Sequence, residues 1–551
     1  MRKKLLLVCA LLVAGTSMAQ VTDLGGPISW NRTLKSNQID TKTMAGFDMA
    51  AIQAEDAIND VEKAAPWRFG YKYSTNFSLE NSGTWQELDN GKLWRIELQA
   101  PGALTMNLIL ENLYLPEGAQ LYLYDNKNTN LVGAYTERNN REDGLLGTEL
   151  VFGDDIIVEY YEPNDVEGLG HFTIANVVHG YRSLNIIQNQ LEKALNSSGN
   201  CNIDARCPLG NNWDPQIRSV AMIVVGGAGI CTGALINNRC NDGTPYFLTA
   251  NHCLGGGTGS WAFRFNWEVD ASDASLSCAT TTQSAGIYNS SSNWNQTANG
   301  ATILASGTQA DHALLEIDNM TMQDAIDWGL YYAGWNHDDT PNSITEATGI
   351  HHPSGDIKKI CRENDSPSQQ NTGGAAVWWI DEWEEGVTEP GSSGSPLFDQ
   401  NGKIIGQLYG GAAACSGTSN NGAYDFYGRL GVAWNNGVGQ YLGASACGGD
   451  TLKLDGFDPN PATAATDDIQ AIDFTVSPNP SEGVFTLSMN DNTALTGSLI
   501  VRDMMGREVL VLDMDEAFTT EIDLTGVSNG AYVLQVQSAK SLVTKTLVVR
   551  K

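Results

Sequence analysis

The sequence predicts a mostly β protein divided into several domains, and three observations support this prediction. The chain has 551 residues, which is enough for about three to five domains. Its 58 glycines against 17 prolines, with short apolar stretches bounded by Gly, Pro, Asn and Asp, indicate many turns and short strands. Apart from Cys9, all cysteines fall between residues 201 and 447, which separates a cysteine-bearing central region from its two flanks.

The charge balance excludes two classes of partner. The chain has 32 Lys and Arg against 64 Asp and Glu, which gives a net charge of −32. Binding to nucleic acid or to anionic lipid requires a basic surface, so neither is expected. Basic partners or substrates are favoured instead.

The first 19 residues have the pattern of a secretory signal peptide. The basic start Arg2–Lys4 is followed by the apolar run Leu5–Ala14 and by the small-residue cleavage site Ser17–Ala19. The apolar run is too short for a permanent membrane helix, and no integral membrane segment is expected elsewhere. The sequence therefore predicts an exported protein.

Export changes the interpretation of the cysteines, because disulfides form in oxidising compartments. Removal of Cys9 leaves nine, an odd number, so at least one thiol stays unpaired. There is no CxxC pair and no histidine pair at zinc-finger spacing, so no metal is expected. The nine are Cys201, Cys207, Cys231, Cys240, Cys253, Cys278, Cys361, Cys415 and Cys447.

The pattern of short strands divides the mature chain into three parts. Residues 20–197 have helical spacing over Ala45–Ala65 and then alternating strands from Trp94, which predicts an antiparallel sandwich. Residues 198–460 have the composition of an all-β module with long loops. Residues 461–470 are a linker, and residues 471–551 predict a small separate β-sandwich.

Three local patterns in the central module predict a hydrolytic site. They contain His252 in FLTANHC, Asp311 in ADHALLE and Ser393 in EPGSSGSP, in the order that chymotrypsin-like enzymes use. A serine hydroxyl needs an imidazole base, and a carboxylate must fix the tautomer of that imidazole. Gly391 and Ser393 would supply the backbone N–H donors of an oxyanion hole.

These patterns are part of a wider resemblance. TANHC and EPGSSGSP are similar to the histidine and serine boxes of the trypsin-like fold, and residues 198–460 resemble bacterial lysyl endopeptidases of the Achromobacter protease I type. The matching phrases in that family are SGNCNIDARCP, CTGALINN, YFLTANHC, GIHHPSGDIKKI, GVTEPGSSGSPLF, GQLYGG and YDFYGR. The resemblance implies a chymotrypsin/trypsin-like double β-barrel, with His252 as base, Asp311 as orienting carboxylate and Ser393 as nucleophile.

The resemblance also implies substrate-binding residues and disulfides. Asp425 matches the aspartate at the base of the primary specificity pocket, where a buried carboxylate favours substrates with Lys or Arg. Tyr409 replaces the family's histidine in GQLHGG, so strict Lys or combined Lys/Arg specificity stays open. No counterpart is identified for the tryptophan that stacks on that histidine. The implied disulfides are Cys201–Cys415, Cys207–Cys278 and Cys231–Cys253, while the pairing of Cys240, Cys361 and Cys447 is left open.

The flanks have expected roles of their own. Residues 20–197 lie where secreted proteases carry a pro-segment. Self-cleavage after Lys193 is a hypothesis for its removal. The alternative is that residues 20–197 stay attached as an accessory binding domain. Residues 471–551 resemble the Ig-like sorting domains of the Bacteroidota type IX secretion system, on Val476–Pro480, Asp503–Arg507 and Leu524–Leu534. The alternative there is a generic binding sandwich.

Together these observations predict a secreted serine endopeptidase that cuts after basic residues and needs no cofactor. Its expected partners are protein and peptide substrates with Lys or Arg at the cleaved position, and the type IX secretion machinery. The expected location is the extracellular space or the cell surface. The alternative from another class is a catalytically silent relative that acts as a surface binding protein.

Overall fold

The chain forms two compact units, Met1–Pro459 and Asn460–Lys551. The computed structural model describes residues 26–61, 63, 65–182, 198–199, 201–255, 257–268, 296–340, 343–415, 419–421, 423–443, 447, 451–460, 474–489, 495–503, 507–538 and 541–551. The predicted signal peptide and Lys193 lie outside this part of the chain.

The N-terminal part of the first unit consists of two sheets that share one core. Ile96 and Leu98 of one sheet and Leu108 and Leu110 of the other belong to this core and are fully buried. In pairing order, the first sheet contains Asp40–Thr43, Gly91–Gln99, Asp155–Pro163, Gln120–Tyr124 and Leu131–Tyr135, and Thr84–Leu88 also pairs with Gly91–Gln99. The second sheet contains, in pairing order, Val151–Phe152, Thr105–Tyr114, His171–Gly180 and Gly70–Ser78, and Leu146–Gly147 also pairs with Thr105–Tyr114.

One strand departs from the antiparallel arrangement that the sequence suggests. Asp40–Thr43 pairs parallel to Gly91–Gln99. Parallel pairing needs a long connection rather than a tight turn. The intervening chain, which includes the helix Met49–Asn59, supplies that length.

The central region contains an eight-stranded sheet that holds the first half of the candidate site. Its core includes Ile223, Phe247, Phe263 and Leu315, which are fully buried. The strands, in pairing order, are Thr297–Asn299, Ala262–Phe265, Val220–Val225, Gly229–Leu235, Tyr246–Ala250, His312–Ile317 and Ala301–Gly307, with Trp67–Arg68 paired to Gly229–Leu235. This last strand belongs to the N-terminal part, so the two parts share a sheet.

A twelve-stranded sheet holds the second half of the site. Its core includes Trp378, Trp383, Leu397 and Tyr427. In pairing order it contains Ser368–Thr372, Ala375–Ile380, Asp425–Arg429, Ile404–Gly411, Pro396–Asp399, Ala347–His351, Lys359–Glu363, Trp383–Glu385 and Ser419–Asn421, with Ile203–Asp204, Trp335–Asn336 and Lys453–Leu454 at its side.

Helices are short and lie mostly in connections. Met49–Asn59 is the longest among the described residues, and the Asp48 side chain caps its N-terminus by accepting a hydrogen bond from Ala51 N–H. The other α-helices are Ile28–Asn31, Asp214–Ile217, Met322–Asp327, Leu430–Ala433 and Gly439–Leu442, and a π-helical turn covers Trp434–Val438. The 3₁₀ turns are Glu137–Asn139, Asn164–Val166, Pro208–Gly210, Asn251–Cys253, Thr258–Ser260 and Pro353–Gly355.

The second unit is formed by two small antiparallel sheets around a common core. Phe485 and Leu487 of one sheet and Leu499 and Leu534 of the other are buried together. The first sheet contains Phe474–Ser477, Val484–Met489 and Thr519–Asp523, and the second contains Glu508–Ala517, Leu495–Asp503, Gly530–Ser538 and Ser541–Val549.

The predicted mostly β class is therefore confirmed for the described part of the chain. Within that part, no helix combines the length and the apolar character that a bilayer crossing requires.

Candidate active site

Strand register brings His252 and Asp311 together. Tyr246–Ala250 and His312–Ile317 are antiparallel neighbours in which Ala250 pairs with His312. His252 follows the first strand by two residues and Asp311 precedes the second by one, so both lie at the same edge of the sheet.

The Asp311 carboxylate holds His252 through both of its oxygens. Oδ1 accepts a hydrogen bond from the His252 backbone N–H at 2.9 Å, and Oδ2 lies 2.6 Å from the His252 Nδ1 atom. Asp311 adopts a left-handed backbone conformation (φ +47°) and is 4% exposed. A carboxylate in this position fixes the imidazole with Nδ1 protonated and leaves Nε2 available as a base.

Ser393 lies in the loop that precedes strand Pro396–Asp399 of the other sheet. Its carbonyl oxygen accepts a hydrogen bond from the Thr232 N–H at 2.8 Å, and the Thr232 hydroxyl donates to the Gly391 carbonyl oxygen at 2.9 Å. Thr232 belongs to the eight-stranded sheet, so it ties the serine loop to the sheet that carries His252 and Asp311.

Glycine is required at position 391. Gly391 has φ +97°, and a Cβ atom there would lie 2.9 Å from the Ser354 nitrogen and 3.0 Å from the His352 carbonyl oxygen. Side chains are disfavoured both by this conformation and by the neighbouring backbone. The expected oxyanion donors, the N–H groups of Gly391 and Ser393, are thus part of a turn that the surrounding backbone closely constrains.

A second layer of buried side chains supports the serine loop. The Ser392 hydroxyl accepts a hydrogen bond from the Glu389 N–H at 3.2 Å and lies 2.8 Å from His351 Nδ1. Burial lowers the pKa of His351 to about 3, so this imidazole is neutral at physiological pH.

Asp425 belongs to a buried cluster of polar side chains. The side chain is fully buried, and its Oδ2 atom accepts hydrogen bonds from Trp383 Nε1 at 2.8 Å and from the Thr388 hydroxyl at 2.5 Å. Burial raises the pKa of Asp425, and the nearby Lys63 ammonium opposes that rise. The cation in this cluster is Lys63, whose Nζ atom lies 2.9 Å from Asp425 Oδ1.

Tyr409 lies next to His252. Its ring centroid is 6.0 Å from that of His252 and 5.1 Å from that of Phe426, to which it is perpendicular. Trp379 stacks on Phe426 at 5.7 Å, whereas Trp378 is buried and donates a hydrogen bond to the Ile405 carbonyl oxygen. Tyr409 is therefore connected to Trp379 through Phe426.

The cysteines form three disulfides among the described residues. Cys201 bonds to Cys415 and Cys231 bonds to Cys253, the residue after His252. Cys240 bonds to Cys447, a pairing that the sequence left open, and Cys361 is a buried free thiol. Cys207 is disulfide-bonded, and its expected partner Cys278 lies outside the described residues.

Sequence reasoning missed four side chains at the site: Lys63, Thr388, Trp383 and His351. Thr388 and His351 stand inside phrases that carry the family resemblance, GVTEPGSSGSP and GIHHPSGDIKKI, which were the available signals. Lys63 is 330 positions away from Ser393 and has no local signal at all.

Comparison with known proteins confirms the resemblance. Residues 195–428, which include His252, Asp311, Ser393 and Asp425, match the model described as the lysyl endopeptidase C-terminal domain. A lysyl endopeptidase of Pseudomonas aeruginosa is 28% identical over 294 residues, which is 51% of this chain and 60% of that relative. The chain thus spans less than two thirds of the relative's length.

Residues 475–550 match a secretion system C-terminal sorting domain, which confirms the predicted type IX tail and indicates export to the cell surface or the extracellular space. Two solved structures are also similar. The inactive form of the Rv3671c protease from M. tuberculosis is 13% identical and covers 43% of this chain and 98% of its own (TM-score 0.29). The HtrA-type protease AlgW with a tripeptide is 14% identical and covers 60% of this chain and 93% of its own (TM-score 0.27).

Proposed function

We propose that this protein is a secreted serine endopeptidase that cleaves peptide bonds after basic residues, with Lys preferred. The observation that carries the proposal is the Asp311–His252 pair, with Asp311 Oδ2 2.6 Å from His252 Nδ1, on a sheet to which Thr232 ties the Ser393 loop. The buried carboxylate of Asp425 adds a point for recognising a cation. The match of residues 195–428 to the lysyl endopeptidase domain supports it.

In the proposed first step, Ser393 Oγ attacks the carbonyl carbon of the substrate and its proton moves to His252 Nε2. Asp311 stabilises the imidazolium through the contact to Nδ1. The oxygen of the tetrahedral intermediate becomes negative and is held by the N–H groups of Gly391 and Ser393. The imidazolium then gives its proton to the leaving nitrogen, and the acyl group stays on Ser393.

In the second step, water attacks the acyl group with His252 again as base, and Ser393 recovers its proton. In the present structure the Ser393 hydroxyl donates to the Lys63 carbonyl oxygen at 2.9 Å, and His252 Nε2 has no hydrogen-bond partner within the described residues. Proton transfer therefore requires that the serine hydroxyl turn toward the imidazole.

The contacts in the pocket support a preference for Lys. Asp425 Oδ2 is taken by Trp383 and Thr388, which leaves Oδ1 for a cation. One ammonium can use Oδ1 together with the Thr388 hydroxyl, as Lys63 does. A guanidinium pairs best with both carboxylate oxygens, and only one is free.

The proposal extends to the organisation of the chain. We infer that residues 20–197 are a pro-segment, that residues 198–460 are the protease with the two sheets as the barrels of a trypsin-like fold, and that residues 471–551 are an Ig-like sorting domain after the linker 461–470. Cys207–Cys278 remains part of this proposal. The sorting domain would engage the type IX secretion machinery.

Hydrolysis of a short peptide amide tests the function. The secreted protein should release the amine after Lys faster than after Arg, and Ser393→Ala should abolish both reactions. Ser306→Ala, a matched change at an exposed position of strand Ala301–Gly307, should leave the rate unchanged. Equal trace rates for the wild type and Ser393→Ala would instead support a silent binding protein.

A further inference from the structure

The specificity pocket of the described structure is filled by a lysine of the same chain. Lys63 is 3% exposed, and its Nζ atom lies 2.9 Å from Asp425 Oδ1 and 2.7 Å from the Thr388 hydroxyl. Its carbonyl oxygen accepts the hydrogen bond from Ser393 Oγ. Lys63 thus contacts both Asp425, the carboxylate proposed to recognise the substrate's cation, and Ser393, the proposed nucleophile.

The chain before Lys63 is anchored by a buried carboxylate. Asp56, in the helix Met49–Asn59, is 2% exposed and accepts hydrogen bonds from Arg68 Nε and from the Tyr181 hydroxyl, both at 2.7 Å. The Arg182 guanidinium contacts its second oxygen at 2.7 Å. Removal of one partner from such a buried cluster is costly, so this helix has a fixed position.

The chain after Lys63 is anchored by a sheet. The strand Trp67–Arg68 pairs with Gly229 and Ile230 of the eight-stranded sheet, and Phe69 N–H donates to the Ala228 carbonyl oxygen at 2.9 Å. Lys63 therefore lies in a short connection between two fixed elements. Such a connection gives its side chain a high effective concentration in the pocket, against which any external substrate must compete.

The backbone geometry at Lys63 differs from that of a residue about to be cut. Lys63 has φ +54°, a left-handed conformation that non-glycine residues rarely adopt. The Ser393 proton points to the Lys63 carbonyl oxygen, whereas attack requires the hydroxyl to give its proton to His252 and to approach the carbonyl carbon. The contact blocks the nucleophile instead of engaging it.

We propose that Lys63 is a built-in inhibitor that occupies the pocket in a non-productive orientation and keeps the uncut chain latent. This inference rests on the proposed function, since it assigns the same pocket to lysine. Activation then requires a cut elsewhere in the N-terminal part and release of the segment that carries Lys63.

Binding of a fluorescein-labelled lysyl peptide amide to full-length Ser393→Ala protein tests the block without self-digestion. We expect Ser393→Ala to bind the peptide weakly and Ser393→Ala/Lys63→Met to bind at least about tenfold more tightly, because a Met side chain cannot pair with Asp425 and so competes less with the peptide's lysine. Ser393→Ala/Lys35→Met changes an exposed N-terminal lysine and should stay blocked. Thermal unfolding of all three verifies that each is folded.

Hydrolysis of lysyl amides by the processed wild type would support the proposed function. Given that activity, each of three outcomes would overturn only the inference about Lys63. Tight binding by Ser393→Ala itself would show that Lys63 does not block the pocket. No gain on adding Lys63→Met or Lys63→Ala would show that the side chain is not the inhibitor. A first wild-type cleavage product ending at Lys63, found by mass spectrometry, would show a productive orientation. Absence of lysyl hydrolysis by any processed form would instead reject the proposed function.

Discussion

At the scale of single residues, local sequence patterns pointed to the residues proposed to do the chemistry, but they did not point to the side chains that contact those residues. His252, Asp311 and Ser393 each stand in a short phrase whose residue types the reaction requires. Trp383 and Lys63 become partners of Asp425 only through folding. No spacing rule links side chains that are dozens or hundreds of positions apart, so these two could not be predicted.

The first residue-scale prediction concerns the Asp311 carboxylate. Asp311→Asn keeps the shape of the side chain but replaces one acceptor with a donor, which favours the wrong tautomer of His252. We expect kcat to fall by about 10⁴-fold with a small change in KM, as measured by initial rates on a lysyl amide. Asp327→Asn, on an exposed position of helix Met322–Asp327, should have no effect; an equal loss there would point to a general folding defect.

The second residue-scale prediction concerns pH and Asp425. Because burial raises the pKa of this carboxyl, it takes up a proton at a higher pH than an ordinary aspartate does. Lysyl peptide binding to Ser393→Ala/Lys63→Met should therefore weaken progressively as the pH is lowered from 8 toward the ordinary aspartate pKa. His351 does not titrate in this range, since its pKa is about 3. Binding that is equally tight throughout the range would contradict the role of the Asp425 charge.

At the scale of elements, the alternation of apolar residues predicted strands in all three parts, but pairing partners came from the structure. The helix expected within Ala45–Ala65 covers Met49–Asn59. The parallel position of Asp40–Thr43 and the addition of Trp67–Arg68 to the central sheet were not predictable, because edge pairing depends on which elements are adjacent after folding.

An element-scale prediction follows from the Cys231–Cys253 disulfide. It joins strand Gly229–Leu235 to the turn Asn251–Cys253, which carries His252, and its cysteines are 22 positions apart. Replacing both cysteines by alanine should lower the free energy of unfolding by about 3 kcal/mol in denaturant titration. We also expect kcat to fall more than KM rises, because the histidine turn loses its anchor.

The matched control is the pair Cys240→Ala/Cys447→Ala. This disulfide lies on another part of the fold, so its removal should lower stability without the selective loss of kcat. Equal kinetic effects of the two double variants would contradict a positioning role for Cys231–Cys253.

At the scale of the whole molecule, the sequence separated the tail from the rest because composition and strand spacing change near residue 460. The structure divides the chain into two units between Pro459 and Asn460. It also shows the N-terminal and central parts within one unit, joined by a shared sheet. Sequence patterns describe each part separately, so they could not reveal this joint packing.

A whole-molecule prediction is that the tail serves export and not hydrolysis. A chain that ends at Pro459 should refold and, after processing, cleave a lysyl amide at the wild-type rate, since the tail has its own core. The same truncation in cells should stop the protein from reaching the medium or the cell surface, as followed by immunoblotting of fractions. Loss of activity in the purified truncated protein would contradict this separation.

If the protein has the proposed activity and cuts itself, the Cys240–Cys447 bond determines what happens to the nicked chain. Every lysine between these two cysteines, namely Lys358, Lys359 and Lys403, lies inside the covalent loop that the bond closes. The first two are almost fully buried, and Lys403 is held by Asp455 at 2.6 Å. A molecule nicked at any of them would run as fragments on a reducing gel and as a single species without reductant, and its two pieces could not drift apart.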